Sequence, residues 1–113
     1  MIACKRGDIV LVLFPDSNLR TAKRRPGLIV QSDDLGTGIP QVIVAMITSN
    51  LARLGHGSRV LVSFDTPGTG LLTESVVMTD NLSTVLISEL DRAIGALADL
   101  AEVDKALRFT LDL

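Results

Sequence analysis

Three places in the chain carry side chains that could act on a phosphate group. Arg25 ends a run of three cations directly before Pro26. Its guanidinium offers a planar fork of donors that matches the non-bridging oxygens of a phosphodiester. Residues 48–50 are Thr-Ser-Asn at the end of an apolar run, and residues 80–81 are Asp-Asn after another. Together these places supply a cation, hydroxyl and amide donors, and a carboxylate.

Strand ends can meet on one rim of a small β-barrel, which would bring these side chains together. Pro26 favours an extended conformation at Arg25 and suits the first residue of a strand, because proline cannot donate to a sheet ladder. A phosphate-binding rim is therefore one interpretation of the pattern. The other is a solvated charge cluster beside a strand, since basic clusters are common and weakly specific.

Length and composition indicate one folded domain over residues 1–113. The hydrophobic fraction of 47% excludes a disordered chain. No apolar run reaches the ~18 residues that cross a bilayer, and no secretory signal is visible at the start. Cys4 is the single cysteine, so no internal disulfide can form. We therefore expect a cytoplasmic protein without a membrane partner.

The charges are distributed unevenly along the chain. Residues 1–60 hold eight Lys and Arg against four Asp and Glu, whereas residues 61–113 hold three against nine. A site for a polyanion must therefore be local, because the net charge is only -2. The aromatic fraction is 3%, all of it Phe, so stacking of several bases on aromatic rings is excluded.

No pattern for a metal or cofactor is present in the sequence. His56, the single histidine, lies between two glycines, where a surface role is the simpler interpretation. The acidic residues lack metal-ligand spacing, and no dinucleotide or P-loop glycine pattern occurs. We therefore expect no metal and no cofactor, and an enzyme of this sequence would work without a histidine as general base.

The elements that would position these residues are short strands followed by one helix. Short apolar runs separated by Gly and Pro turns predict a small barrel or sandwich. After Asp99, a candidate helix cap, the apolar period changes to that of an amphipathic helix. The predicted strands are 8–14, 26–32, 41–48, 59–64, 75–79, 83–88 and 93–97.

Five segments, in this order, resemble the MazF/PemK (Kid) family of toxin endoribonucleases from toxin–antitoxin pairs. They are residues 5–10 (KRGDIV), Phe14-Pro15 followed by residues 23–30 (KRRPGLIV), residues 42–49 (VIVAMITS), residues 75–85 (SVVMTDNLSTV), and residues 94–97 (IGAL) with the final helix. Each segment is weakly specific, whereas five in the family's order are strongly specific. The first long loop, residues 16–24, lacks the histidine that some members carry, and Met78 replaces an arginine of some members.

The resemblance implies a mainly β fold, an SH3-like small barrel of the CcdB/Kid/MazF toxin type with a C-terminal α-helix. It implies a homodimer whose groove binds single-stranded RNA and cleaves it sequence-selectively without metal. The substrate's own 2′-OH would attack phosphorus, leaving a 2′,3′-cyclic phosphate and a 5′-OH end. It also implies a cognate antitoxin that lays an extended acidic segment in the groove.

The resemblance also implies roles for individual residues. Arg25 and Thr48 match the family's catalytic pair, and Asp80 matches an acidic position used by some members. Arg25 would stabilise charge on the phosphorane, Thr48 would donate to a phosphate oxygen, and Asp80 would orient Arg25 or contact a base. The candidate RNA-binding residues come from the loops and strand ends: Ser17, Asn18, Arg20, Lys23, Arg24, Ser49, Asn50 and Asn81.

Two alternatives use the same barrel without cleavage. A CcdB-like inhibitor of a topoisomerase would act through its C-terminal helix and leave Arg25 and Thr48 idle. A non-catalytic RNA-binding protein would bind RNA with strong salt dependence but release no product.

Overall fold

The residues that the structure describes form six strands, one α-helix and two short 3₁₀ turns. The computed structural model describes residues 4–15, 20 and 22–113. The strands are β1 Asp8–Pro15, β2 Ala22–Ile29, β3 Gln41–Thr48, β4 Arg59–Val62, β5 Ser75–Leu86 and β6 Leu90–Ala96, and the helix α1 is Ala101–Leu111. The predicted mainly β fold with a C-terminal helix is confirmed. No helix in the described ranges is long and apolar enough to span a membrane.

The strands form one antiparallel sheet in the order β4-β5-β3-β2-β1-β6. Neighbouring residues of the central strands point to opposite faces. Val44 packs in one apolar cluster with Val10 and Val12, whereas Ala45 packs in the other with Ile9 and Leu28. Both faces of the central strands are therefore covered, which explains their continuous apolar runs.

β2 and β3 separate at one end of the sheet. β2 pairs with β1 from Ala22 to Leu28, but it pairs with β3 only over Gly27–Ile29. Pro26 lies just beyond that short ladder and has no N–H to extend it. The sequence predicted Pro26 at the start of a strand, but Pro26 lies inside β2. The position is tolerated because no β3 partner lies opposite it.

The predicted strands 75–79 and 83–88 are a single strand. β5 is twelve residues long and pairs with β3 along both of its halves. The register shifts where Ala45 faces Leu82 and Met46 faces Met78, so residues 79–81 form a bulge. The predicted break between strands at residues 80–82 is absent, because β3 runs unbroken beside these residues and keeps the chain extended.

Helix α1 packs against β5, and its N-cap is Leu100, one residue beyond the Asp99 cap that the sequence predicted. The Asp99 carboxylate accepts a hydrogen bond of 3.0 Å from the Ala101 N–H, one of the unpaired donors of the first turn. Val103 and Ala106 are the buried residues of the helix. The buried Thr79 hydroxyl lies 2.7 Å from the carbonyl oxygen of Ser58 and 2.7 Å from the Thr110 hydroxyl, so it joins β5, the start of β4 and α1.

Residues 68–73, the wall segment, run beside β6 at a distance that only glycine permits. The Ala96 N–H donates to the Gly68 carbonyl oxygen at 2.8 Å. A Cβ at Gly95 would overlap that same oxygen and the backbone of Thr69, and a Cβ at Gly70 would overlap the Ile94 carbonyl. The backbones touch directly, so the position of the wall segment is fixed by β6.

Gly95→Ala should destabilise the protein by about 3 kcal/mol, the upper end of the range for overpacking, because the obstructing atoms are backbone and cannot rotate away. Urea unfolding at equilibrium would measure the change. Gly27→Ala is the control, since a Cβ there meets its neighbours at ordinary contact distances. Equal free energies of unfolding for the two variants would contradict the close approach.

Candidate functional site

A groove of about 600 Å³ opens where β2 leaves β3. Arg25 and Pro26 line it from β2, and Ile47, Thr48 and Ser49 line it from the end of β3. The wall segment and β6 close the remaining sides: Gly70, Leu71, Leu72, Thr73, Arg92 and Ile94. The structure therefore brings Arg25 and Thr48 together, although 22 residues separate them in the sequence.

The groove carries positive charge. Arg24, Arg25 and Arg92 line it, and the described lining residues include no carboxylate. Arg24 also lies 3.6 Å from the Asp91 carboxylate, and both side chains are well exposed, so that pair is weak. Three guanidinium groups around one cleft attract an anion and provide forks for its oxygens.

Hydroxyl groups accompany the cations. Thr48, Ser49, Thr73 and Ser75 all line the groove. The Thr48 Oγ1 accepts a hydrogen bond of 3.1 Å from the Asn50 N–H, which fixes the position of that oxygen. Because the oxygen acts as acceptor in this bond, its own proton stays available to donate to a ligand.

Asp80 lies outside the groove and pairs with a different arginine. It is four residues beyond Val76, the β5 partner of Thr48, which is about 13 Å along a strand. Its two oxygens accept from Arg59 Nε at 2.9 Å and Arg59 Nη2 at 2.6 Å. These hydrogen bonds lower the pKa of the Asp80 carboxyl and raise the pKa of Arg59. The structure thus gives Asp80 a partner other than the expected Arg25.

The other predicted RNA-binding residues divide into four groups. Arg24 and Ser49 line the groove. Asn50 and Asn81 are engaged elsewhere: the Asn50 carbonyl oxygen accepts from the Ala52 N–H at 3.1 Å, and the Asn81 amide contacts Met46 Sδ at 3.3 Å. Lys23 and Arg20 are exposed, and Ser17 and Asn18 lie outside the described residues.

Sequence reasoning missed Arg92, Thr73 and Ser75. Arg92 faces Leu11 across the β1–β6 ladder, and both line the groove. The predicted strand begins at residue 93, whereas β6 begins at Leu90, so Arg92 fell outside the predicted strands. No sequence signal marks Thr73, because its place depends on the approach of the wall segment to β6, and none marks Ser75, the first residue of β5.

Metal ligands are not gathered anywhere in the described ranges. Among residues 4–15, 20 and 22–113, no three His, Cys, Asp or Glu side chains are grouped so that they could hold an ion. His56 is exposed, and its Nδ1 lies 2.7 Å from the Ser58 hydroxyl while its ring meets Phe109 edge-on. His56 therefore contacts residues next to the start of β4 and on α1.

The fold and groove define a small β-barrel protein with a cationic, hydroxyl-lined cleft. Residues 5–111 match the model of the PemK-like, MazF-like toxins of type II toxin–antitoxin systems. The chain belongs to this family, as the resemblance had indicated.

Individual relatives agree with that assignment. The chain is 36% identical over 104 residues to endoribonuclease MazF6 of Mycobacterium tuberculosis H37Rv, covering 89% of this chain and 90% of the relative. It is also 36% identical over 106 residues to a probable endoribonuclease MazF of Mycolicibacterium smegmatis, covering 91% and 92%.

Solved structures share the fold. The Mycobacterium tuberculosis toxin MazF-mt6 superposes with a TM-score of 0.73 at 29% identity, covering 94% of this chain and 97% of that one. A mycobacterial endoribonuclease in complex with its cognate antitoxin superposes with a TM-score of 0.76 at 23% identity, covering 98% and 97%.

Asp80→Asn should reduce stability at neutral pH and not in strong acid. The folded-state pKa of Asp80 is lowered, so its ion pair stabilises the protein above the unfolded pKa of ~3.9 and ceases to do so as pH falls through the folded-state pKa. Urea unfolding of both proteins over a pH series would measure this. A difference in unfolding free energy that stays constant from pH 7 to strong acid would contradict the lowered pKa.

Proposed function

We propose that the groove binds single-stranded RNA and cleaves it by attack of the substrate's own 2′-OH on the adjacent phosphorus. That the chain is a toxin endoribonuclease is confirmed by its family and by its endoribonuclease relatives. The chemistry and the residue roles are our proposal. The observation that carries it is the meeting of Arg25 and Thr48 in a groove with three arginines and no described carboxylate.

The proposed reaction exchanges one P–O bond for another. The 2′ oxygen forms a bond to phosphorus and loses its proton to solvent, while the bond from phosphorus to the 5′ oxygen breaks and that oxygen takes up a proton. The products are a 2′,3′-cyclic phosphate and a 5′-OH end. The nucleophile belongs to the substrate, so the protein needs no metal-bound hydroxide and no nucleophilic side chain. DNA, which lacks the 2′-OH, is inert.

The protein's part is to orient the phosphodiester and to stabilise its developing charge. Arg25 neutralises the phosphorane through its donor fork, because a guanidinium hardly deprotonates and is a poor general base. Thr48 donates its hydroxyl proton to a non-bridging oxygen. Arg24 and Arg92 bind the flanking phosphates, and Ser49 supplies a further donor within the same groove.

The remaining loop residues are assigned to base recognition in this proposal. Ser17, Asn18 and Arg20 precede β2 in the sequence, and Lys23 lies within β2, two residues before Arg25. Asn50 and Asn81 are assigned to support of the site and not to direct contact with bases, since their side chains already contact neighbouring groups. Selectivity would rest on hydrogen bonds, because the chain has few aromatic rings for stacking.

The proposal includes an antitoxin as protein partner. Solved structures that share this fold include an endoribonuclease with its cognate antitoxin and MazE–MazF from Deinococcus radiodurans. For this chain we propose an extended acidic segment that occupies the groove, where carboxylates would meet Arg24, Arg25 and Arg92. Such a segment would inhibit cleavage by competing with RNA.

We also propose a homodimer that works in the cytoplasm. A chain of 113 residues buries a modest core, and large apolar side chains such as Leu72 and Leu113 remain 92% and 84% exposed. Association of two copies would cover part of that surface. Sedimentation at micromolar concentration tests this part alone.

Arg25→Ala should lower the cleavage rate by at least ~10²-fold, the scale of removing one transition-state donor. The measurement is cleavage of mixed single-stranded RNA in EDTA, with the fragment ends determined chemically. Arg25→Lys is the matched variant, because it keeps the charge and loses the planar fork. Cyclic phosphate ends that vanish in Arg25→Ala would support the proposal.

Three results would contradict the proposal. Near-normal cleavage by Arg25→Ala would remove Arg25 from the mechanism. Salt-dependent RNA binding without product would identify a non-catalytic binder. Intact RNA together with loss of topoisomerase supercoiling would identify a CcdB-like inhibitor.

Arg92→Gln should weaken RNA binding and reduce the dependence of log Kd on log salt by roughly one phosphate contact, a slope of about 0.7 for a single strand. Fluorescence anisotropy with a 2′-deoxy analogue of the cleaved strand would measure both quantities without turnover. Arg108→Gln is the control, because Arg108 lies on α1 outside the groove. An equal loss in both variants would indicate only the net charge of the protein.

A further inference from the structure

We propose that Asp80 is a positioning residue, which acts through Arg59 to hold the turn that fixes the Thr48 hydroxyl. The inference rests on the proposed function, in which Thr48 donates to the phosphate. It assigns Asp80 a role at a distance from the reacting atoms, and it assigns Arg59 the role of connecting Asp80 to the turn.

Arg59 joins two separate parts of the backbone. Its Nε and Nη2 bind both oxygens of Asp80, at 2.9 and 2.6 Å, in the bulge of β5. Its Nη1 donates to the Arg53 carbonyl oxygen at 2.9 Å. Arg53 ends a short 3₁₀ turn, Leu51–Arg53. One planar group therefore links the β5 bulge to that turn, and the two-pronged contact with Asp80 sets its plane.

Hydrogen bonds continue from the turn to the groove. The Arg53 N–H donates to the Asn50 carbonyl oxygen at 3.1 Å, and the Ala52 N–H donates to the Asn50 side chain at 3.1 Å. The Asn50 N–H then donates to the Thr48 Oγ1 at 3.1 Å. The series from Asp80 to Thr48 is thus unbroken, and Thr48 lines the groove beside Arg25.

This turn packs against β5 only at the surface, where Leu51 remains 46% exposed. None of the residues Leu51–Arg53 is buried, and Ser49 and Asn50 are exposed as well. A segment without buried apolar contacts opens locally at low cost unless hydrogen bonds restrain it. The Arg59 contact with the Arg53 carbonyl is therefore the anchor that ties the turn to the sheet.

A simple clamp between β4 and β5 would be redundant. These strands already pair from Arg59↔Met78 to Val62↔Ser75. Next to that ladder, the Ser58 carbonyl oxygen accepts from both the N–H and the hydroxyl of Thr79, at 3.0 and 2.7 Å. What the Asp80–Arg59 pair adds is the orientation of the guanidinium toward the turn.

The test is the steady-state cleavage of RNA by Asp80→Asn. We expect kcat to fall about 10- to 100-fold, because small misplacement of a reacting group is costly, while KM changes less than about 3-fold. Amide hydrogen exchange of residues 50–54 should become faster in the same variant. Exchange is independent of activity, so it tests the positioning even if RNA cleavage were absent.

Asp104→Asn is the matched control. Arg6 Nη2 lies 2.6 Å from Asp104, and Arg6 Nε donates to the Val30 carbonyl oxygen at 2.9 Å, so this pair also links a carboxylate to a backbone carbonyl. The carboxylates are similarly exposed, 40% for Asp104 and 35% for Asp80. Asp104 lies on α1 outside the groove, so its variant should keep the wild-type kcat and the wild-type exchange of residues 50–54.

A double variant separates positioning from general stability. In a Thr48→Ala background, Asp80→Asn should lower kcat little further, because the hydroxyl that Asp80 positions is already gone. Arg59→Lys, which keeps the charge and loses the fork, should reproduce the fall in kcat and serves if Asp80→Asn folds poorly. The inference would be overturned if Asp80→Asn and Arg59→Lys both kept the wild-type kcat, or if Asp104→Asn lost as much kcat as Asp80→Asn. It would also be overturned if the effects of Asp80→Asn and Thr48→Ala on kcat were fully additive, or if amide exchange of residues 50–54 were unchanged.

The two proposals fail in different ways. If Arg25→Ala cleaves like the wild type, the proposed mechanism is wrong whatever Asp80→Asn does. If Arg25→Ala is inactive while Asp80→Asn retains its kcat and its exchange, only the positioning role is wrong.

Discussion

The missing N–H of Pro26 is the constraint on which the site depends. A sheet that continued its ladder between β2 and β3 would bring the two strands about 4.8 Å apart along their whole length and leave no space between them. The ladder covers Gly27–Ile29 and does not extend to Pro26, so the strands diverge there and the groove opens between Arg25 and Thr48. The cation directly before the proline is thereby held on a rigid strand that faces a cavity.

The sequence allowed the prediction of Arg25 and Thr48 because each has a local signal, a cation before proline and a hydroxyl after an apolar run. It could not place Asp80, since a bulge and a turn have similar composition, and only the unbroken β3 decides between them. Arg92 lacked a signal as well, because its position depends on pairing with β1, far away in the chain. The fold class was predictable, whereas contacts across distant elements were not.

The placement of charged side chains in the fold does not follow the division of the sequence into a basic and an acidic half. The second half is acidic, yet it contributes Arg92 to the groove, and its Asp80 is turned toward Arg59 on another side of β5. A carboxylate inside the groove would repel a phosphodiester and weaken every cation beside it. The ion pair with Arg59 compensates the negative charge of Asp80 outside the groove.

The backbone contact between the wall segment and β6 bears on how such a protein can evolve. Residues 68–70 are held against Gly95 with no space for a side chain, so the backbone on that side of the groove tolerates little movement. Leu72 and Thr73, by contrast, are exposed side chains on that rigid base. Substitution there alters the lining while the width of the cleft stays constant. Substitutions at these two positions can therefore change the lining of the groove without a change in the backbone that bounds it.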